Sequence, residues 1–190
     1  EQIVHFSEES PEFLDFHFAW GAMSGVEAVR MGSETEEKDM AATLTGWASV
    51  DPVEAMLWHD ALDVDRRNCR DVTFAMVKGL ASTDLVVATD FVVGKMKAGD
   101  THAAELMQVV KEKMLEVETM PKAEGWAVEL PEGEIRDKVL MEVTGEYVKK
   151  EPGEAAKWAE TLEGGDGGRI QSPVAGKWAV EDPVASMDWV

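Results

Sequence analysis

Five times along the chain, two large residues stand eleven positions apart across a helix start, and this spacing constrains the fold more than any other feature. Two copies read Trp-Ala-x-x-Asp-Pro: Trp47 to Trp58 across Asp51-Pro52, and Trp178 to Trp189 across Asp182-Pro183. A third runs from Tyr147 to Trp158 across Glu151-Pro152. Two weaker copies are Leu80 to Phe91, with Asp84 and Ala88 in register, and Leu115 to Trp126, with Ala123 in register. Their first residues lie 33, 35, 32 and 31 apart. Such a period predicts an all-α fold, an array of antiparallel helix pairs, and arrays of this kind usually bind other proteins.

The junction has a local chemical logic. The Asp51 carboxylate can accept from free N–H groups of a first helical turn, and Pro52, with no N–H and a fixed φ, suits the first helical position. Ala55, Trp58 and Leu62 then form one stripe, repeated as Ala123, Trp126, Leu130 and as Ala155, Trp158, Leu162. A small residue lets another helix approach while the indole fills the gap. Trp47, Trp58, Trp126, Trp158 and Trp178 are therefore read as buried structural anchors rather than an aromatic ligand box. As core, Trp58→Ala should cost about 3–5 kcal/mol. A glycine stands shortly before the anchor at Gly46, Gly79, Gly145 and Gly176. Glycine costs a helix roughly 1 kcal/mol against alanine, so its recurrence points to close helix contacts.

Residues 1–33 differ from the rest and are read as a divergent N-terminal helical cap. Its helix is capped by Ser10, starts at Pro11, is interrupted near Gly21 and Gly25, and resumes to Met31. Residues 34–190 form the array, about five units with the last incomplete, so the chain is read as a fragment of a longer protein. The second helix of each pair should begin near Arg70, His102, Arg136 and Ser172. Three of these carry stripes: Val72, Met76, Leu80; Ala103, Met107, Val110, Met114; and Val139, Val143, Tyr147. Residues 63–68, 97–100, 131–133 and 163–168 should be loops.

The Asp-Pro-x-x-Ala-x-x-Trp junction, complete at Asp51 to Trp58, resembles the tetratricopeptide repeat. It is also similar to the Trp-Ala-x-x-Asp-Pro helical repeats of uncharacterised planctomycete and verrucomicrobial proteins. The family's Leu-Gly pair after the Trp is missing: Ala61-Leu62 and Thr161-Leu162 stand there. The resemblance covers residues 34–190 and implies an α-solenoid, a right-handed superhelix with a groove lined by the first helix of each pair. Glu54, Asp60, Asp90, Glu154 and Glu160 would make that groove acidic and selective for Lys- and Arg-bearing ligands.

Charge bounds the partner class. With 18 basic against 38 acidic residues, the net charge is -20, so nucleic acid, which demands a basic face, is excluded as an expected partner. No apolar run is long enough for membrane insertion. A compartment, cytoplasmic or periplasmic, and an oligomeric state are not specified. Cys69, the only cysteine, is read as a buried thiol with no disulfide role.

Linear catalytic chemistry is missing. Residues 63–68 lack the glycine and place Arg67 where a calcium loop needs an oxygen ligand. The glycines of 164–168 lack the strand and Lys-Ser/Thr of a phosphate loop. His102 and Glu105 are read as a surface pair, and His59-Asp60 as helix surface, with no metal and no cofactor expected. The chain is read as a non-enzymatic protein-interaction scaffold, the alternative being a regulatory or docking region excised from a larger enzyme or sensor.

Overall fold

A computed structural model describes residues 11–32, 37–162 and 165–189, and all regular structure among them is helical. The helices are α1 (Pro11–Ser24), α2 (Val26–Gly32), α3 (Glu37–Val50), α4 (Pro52–Ala61), α5 (Val64–Arg67), α6 (Arg70–Thr83), α7 (Leu85–Lys97), α8 (Ala103–Val117), α9 (Met120–Glu129), α10 (Glu134–Lys150), α11 (Pro152–Thr161), α12 (Gly165–Glu181) and α13 (Pro183–Trp189). The chain divides into two compact units, Glu1–Lys113 and Met114–Val190, and each is described by itself. No helix among the described residues is long and apolar enough to cross a membrane.

In the first unit α3 is the hub, packed against α1 and α6. The α1–α3 crossing is backbone against backbone. A Cβ on Gly21 would strike the Thr43 carbonyl, and one on Gly46 would strike that of Phe18. On the α6 side, Gly79 leaves room for Thr45 and Ala48. Gly25, at φ +54, takes the left-handed turn that separates α1 from α2. The stripe Val72, Met76, Leu80 is buried with Leu44 and Trp47, as periodicity predicts. Ala103, Met107 and Val110 of the next stripe are buried too; its last member, Met114, opens the second unit and is likewise buried.

In the second unit α10 packs on α9, α11 and α12, burying Val139, Val143 and Tyr147. The start of α12 differs from the expected one. Residues 165–168 are helical rather than loop, and Pro173 lies inside the helix. Gly167, Ile170 and Val174 are buried at helical spacing, so packing overrides the local glycine and proline signals. Arg169 Nη1 reaches both oxygens of Asp137 on α10 at 2.9 Å, tying down this first turn. Residues 163–164 of the expected loop, and the Ser10 cap, lie outside the described residues.

Other expectations need correction. The 63–68 loop contains the one-turn helix α5, capped by Asp63, whose carboxylate accepts from Arg66 N–H at 3.0 Å. Gly145 meets only the flexible end of Lys177, and Gly176 faces open space, so the close-contact reading holds at Gly46 and Gly79. Cys69 is exposed, because it caps α6 from the surface turn. Of the five anchors only Trp47 is buried; Trp58, Trp126, Trp158 and Trp178 are half-buried.

Candidate functional site

The α3–α4 corner builds its site from the sequence motif. Asp51 Oδ1 accepts from Glu54 N–H at 3.1 Å, and Pro52 opens α4. Eleven residues of helix, turn and helix bring Trp58 back over Trp47, ring centroids 5.9 Å apart and planes inclined 59°. Trp178 and Trp189 repeat the pairing at 6.0 Å and 44°. In both copies the second indole is half-buried and lines a cleft. Trp58 shares a cleft of about 310 Å³ with Val29, Met40, Leu62 and Val72, rimmed by Arg30, Arg66, Cys69 and Asp71. Trp189 shares one of about 410 Å³ with Glu160, Gln171, Ser172 and Ala175.

A polar junction lies behind α4. His59 is only 2% exposed, which corrects its reading as helix surface. Its Nε2 meets the Arg67 carbonyl at 3.1 Å and its Nδ1 meets Asp60 Oδ1 at 3.2 Å, while its ring stands edge-on to Phe91 at 5.1 Å. Lys95, from α7, donates to the same Arg67 carbonyl at 2.9 Å and to Asn68 Oδ1 at 3.4 Å. That carbonyl closes α5 and lacks an intrahelical donor, so the two side chains supply what the helix end needs. Burial pushes the imidazole toward its neutral form and lowers the lysine from its ordinary value. Asp100 lies beside them in a cleft of about 260 Å³ with Asn68 and His102. Its Oδ1 accepts from His102 N–H at 2.8 Å; its Oδ2 is buried with no hydrogen-bond partner. His59 and Lys95 are both buried and together hold the end of α5.

The second unit carries a different buried titratable group. Glu124 on α9 is fully buried and neither carboxyl oxygen has a hydrogen-bond partner. Desolvation pushes its carboxyl up to about 9, so it is protonated at neutral pH. Burial and then the charge of Glu124 push the Tyr147 phenol upward.

The five acids expected to line a groove are all exposed, Glu54 and Asp60 on α4, Asp90 on α7, Glu154 and Glu160 on α11. Three have neighbours in their own unit: Asp60 with His59, Glu154 with Lys157 at 2.7 Å, and Glu160 with the Trp189 indole N–H. His102 and Glu105 do not form the expected pair: His102 Nδ1 lies 3.4 Å from Asp100, and Glu105 bonds Arg70 at 2.9 Å. Among the described residues no group of three or more His, Cys, Asp or Glu is placed to hold a metal ion.

His59, Lys95, Asp100 and Glu124 were not singled out as site residues by the sequence. For His59 a signal existed. It occupies the register position of Val92, Ala127 and Ala159, all fully buried. Compared with protein families, with curated proteins and with solved structures, the chain finds no match.

Proposed function

We propose that the chain is a non-enzymatic interaction scaffold, a tetratricopeptide-like array whose acidic first helices hold a Lys- and Arg-bearing peptide or protein segment. The observation that carries this reading is the coincidence of exposed acid and exposed apolar side chains on those helices. Val53 and Leu57 are each 60% exposed beside Glu54 on α4. Val86 on α7 and Val184 on α13 stand at the register position of Val53 and are exposed as well. An apolar residue flanked by carboxylates suits a basic amphipathic segment, and the net charge of -20 steers such partners toward the chain. Within each unit, the packing of α3 on α6 and of α10 on α12 supports the array reading.

The test is capture of Lys/Arg-rich amphipathic peptides from an array at low and high salt. Binding should weaken with salt, and replacing Glu54, Asp60 and Glu154 by Lys should abolish it. Peptide binding indifferent to both changes would show that the acidic faces are not the docking surface.

A further inference from the structure

The Trp58 cleft reverses the chemistry of the rest of the chain. Overall there are 18 basic against 38 acidic residues, yet this rim has two arginines and one aspartate. Arg66 is held by a long ion pair, its Nε standing 3.9 Å from Asp63 with both side chains largely exposed. Such pairs contribute little and yield readily to a better-matched anion. The floor is apolar, formed by Trp58, Met40, Val29 and Val72 from four different helices and by Leu62 just past α4. A guanidinium fork matches a carboxylate bidentately. The volume, about 310 Å³, is at the small end of the range for small-molecule sites.

We propose that this cleft binds an amphipathic monocarboxylate, its apolar body against Trp58 and Met40 and its carboxylate at Arg66. Asp71 on the rim disfavours dianions such as phosphate monoesters, and the arginines repel the basic segments assigned to the acidic helix faces, so the two sites take different ligands. The recurrent indole pair sets this up: Trp47 supplies the buried anchor, while the half-buried Trp58 lines the cleft.

Cys69 makes the proposal testable, because the only cysteine of the chain is exposed and lies on the cleft wall. Alkylation of the full chain by iodoacetamide is timed with octanoate, 1-octanol or octylamine, all below micellar concentrations. Octanoate should slow alkylation saturably, octanol several-fold less at equal concentration, and octylamine not at all. In Arg66→Glu, with helicity checked by circular dichroism, the ratio of rates with and without octanoate should return to one. The proposal is overturned if octanoate gives no protection, if octanol protects equally, or if Arg66→Glu is protected like the parent. The ligand series on the unmodified chain decides the matter even if the variant misfolds.

Discussion

His59 and Lys95 converge on one backbone oxygen, the carbonyl of Arg67, at 3.1 and 2.9 Å. Two helices, α4 and α7, thereby grip the end of a third, through two side chains whose proton affinity burial lowers.

The folded-state pKa of His59 lies below its ordinary 6.5, desolvation being the largest cause, so the unfolded chain binds the extra proton more readily. The stability this group contributes is complete above pH 6.5 and falls away as pH drops through 6.5 toward the lower folded value. Urea unfolding at pH 7.5 and 5.5 should show a loss for the parent that is reduced in His59→Asn. An equal loss in both would assign the pH dependence elsewhere.

Glu124 has the opposite sign. Its folded pKa of about 9 exceeds the ordinary 4.5, so the folded state keeps a proton that the unfolded state releases. The penalty is absent below pH 4.5 and grows until pH passes 9. It reaches roughly 2 kcal/mol at pH 6 and several more by pH 9, at about 1.4 kcal/mol per unit. Glu124→Met should therefore stabilise the chain, more at pH 9 than at pH 6, in guanidinium titrations. A pH-independent effect would mean that the carboxyl reaches water.

Asp51 and Glu151 hold the same cap position with nearly the same backbone, φ -131, ψ 76 and φ -144, ψ 69. Only Asp51 makes the side-chain bond. Asp51→Ala should cost about 1 kcal/mol, whereas Glu151→Asp should gain about 0.5–1 kcal/mol by shortening the side chain to capping length. Thermal melts followed by circular dichroism measure both.

Gly46 stands one position and Gly176 two positions before an anchor, in opposite surroundings. Gly46→Ala drives a methyl into the Phe18 carbonyl and should cost about 3 kcal/mol or more. Gly176→Ala points into open space on a helix and should gain up to about 1 kcal/mol. Denaturant midpoints of the two variants should move in opposite directions.

Trp47→Ala should cost about 3–5 kcal/mol, as expected for a buried indole. The half-buried Trp58 should cost less, which revises its reading as full core. Equal losses in paired unfolding curves would mean that the indoles are buried alike.

The sequence made the local features legible. Asp51-Pro52 marks a helix start because the cap and the proline act within one turn, and the stripes of α6, α8 and α10 follow from periodicity alone. It was misleading where packing decides. Gly165 to Pro173 reads as punctuation until Ile170 and Val174 are seen to be buried. His59 reads as surface because a polar side chain ordinarily keeps its water, although its register partners Ala127 and Ala159 are core. Glu124 gave no such warning: its equivalents are Met56, half-buried, and Ala156, buried, and nothing local marks a carboxyl that will lose its water. The Trp58 cleft is assembled from α2, α3, α4, α5 and α6, so only the tertiary fold brings Arg30 and Arg66 to one rim.

The indole pairing of Trp47 with Trp58 closes over eleven residues, and its copy at Trp178 and Trp189 does the same. Contacts so near in sequence require little loop-closure entropy and can form before distant helices meet. Each corner is thus equipped to serve as an early folding nucleus, with the chain able to condense from two such points rather than from one.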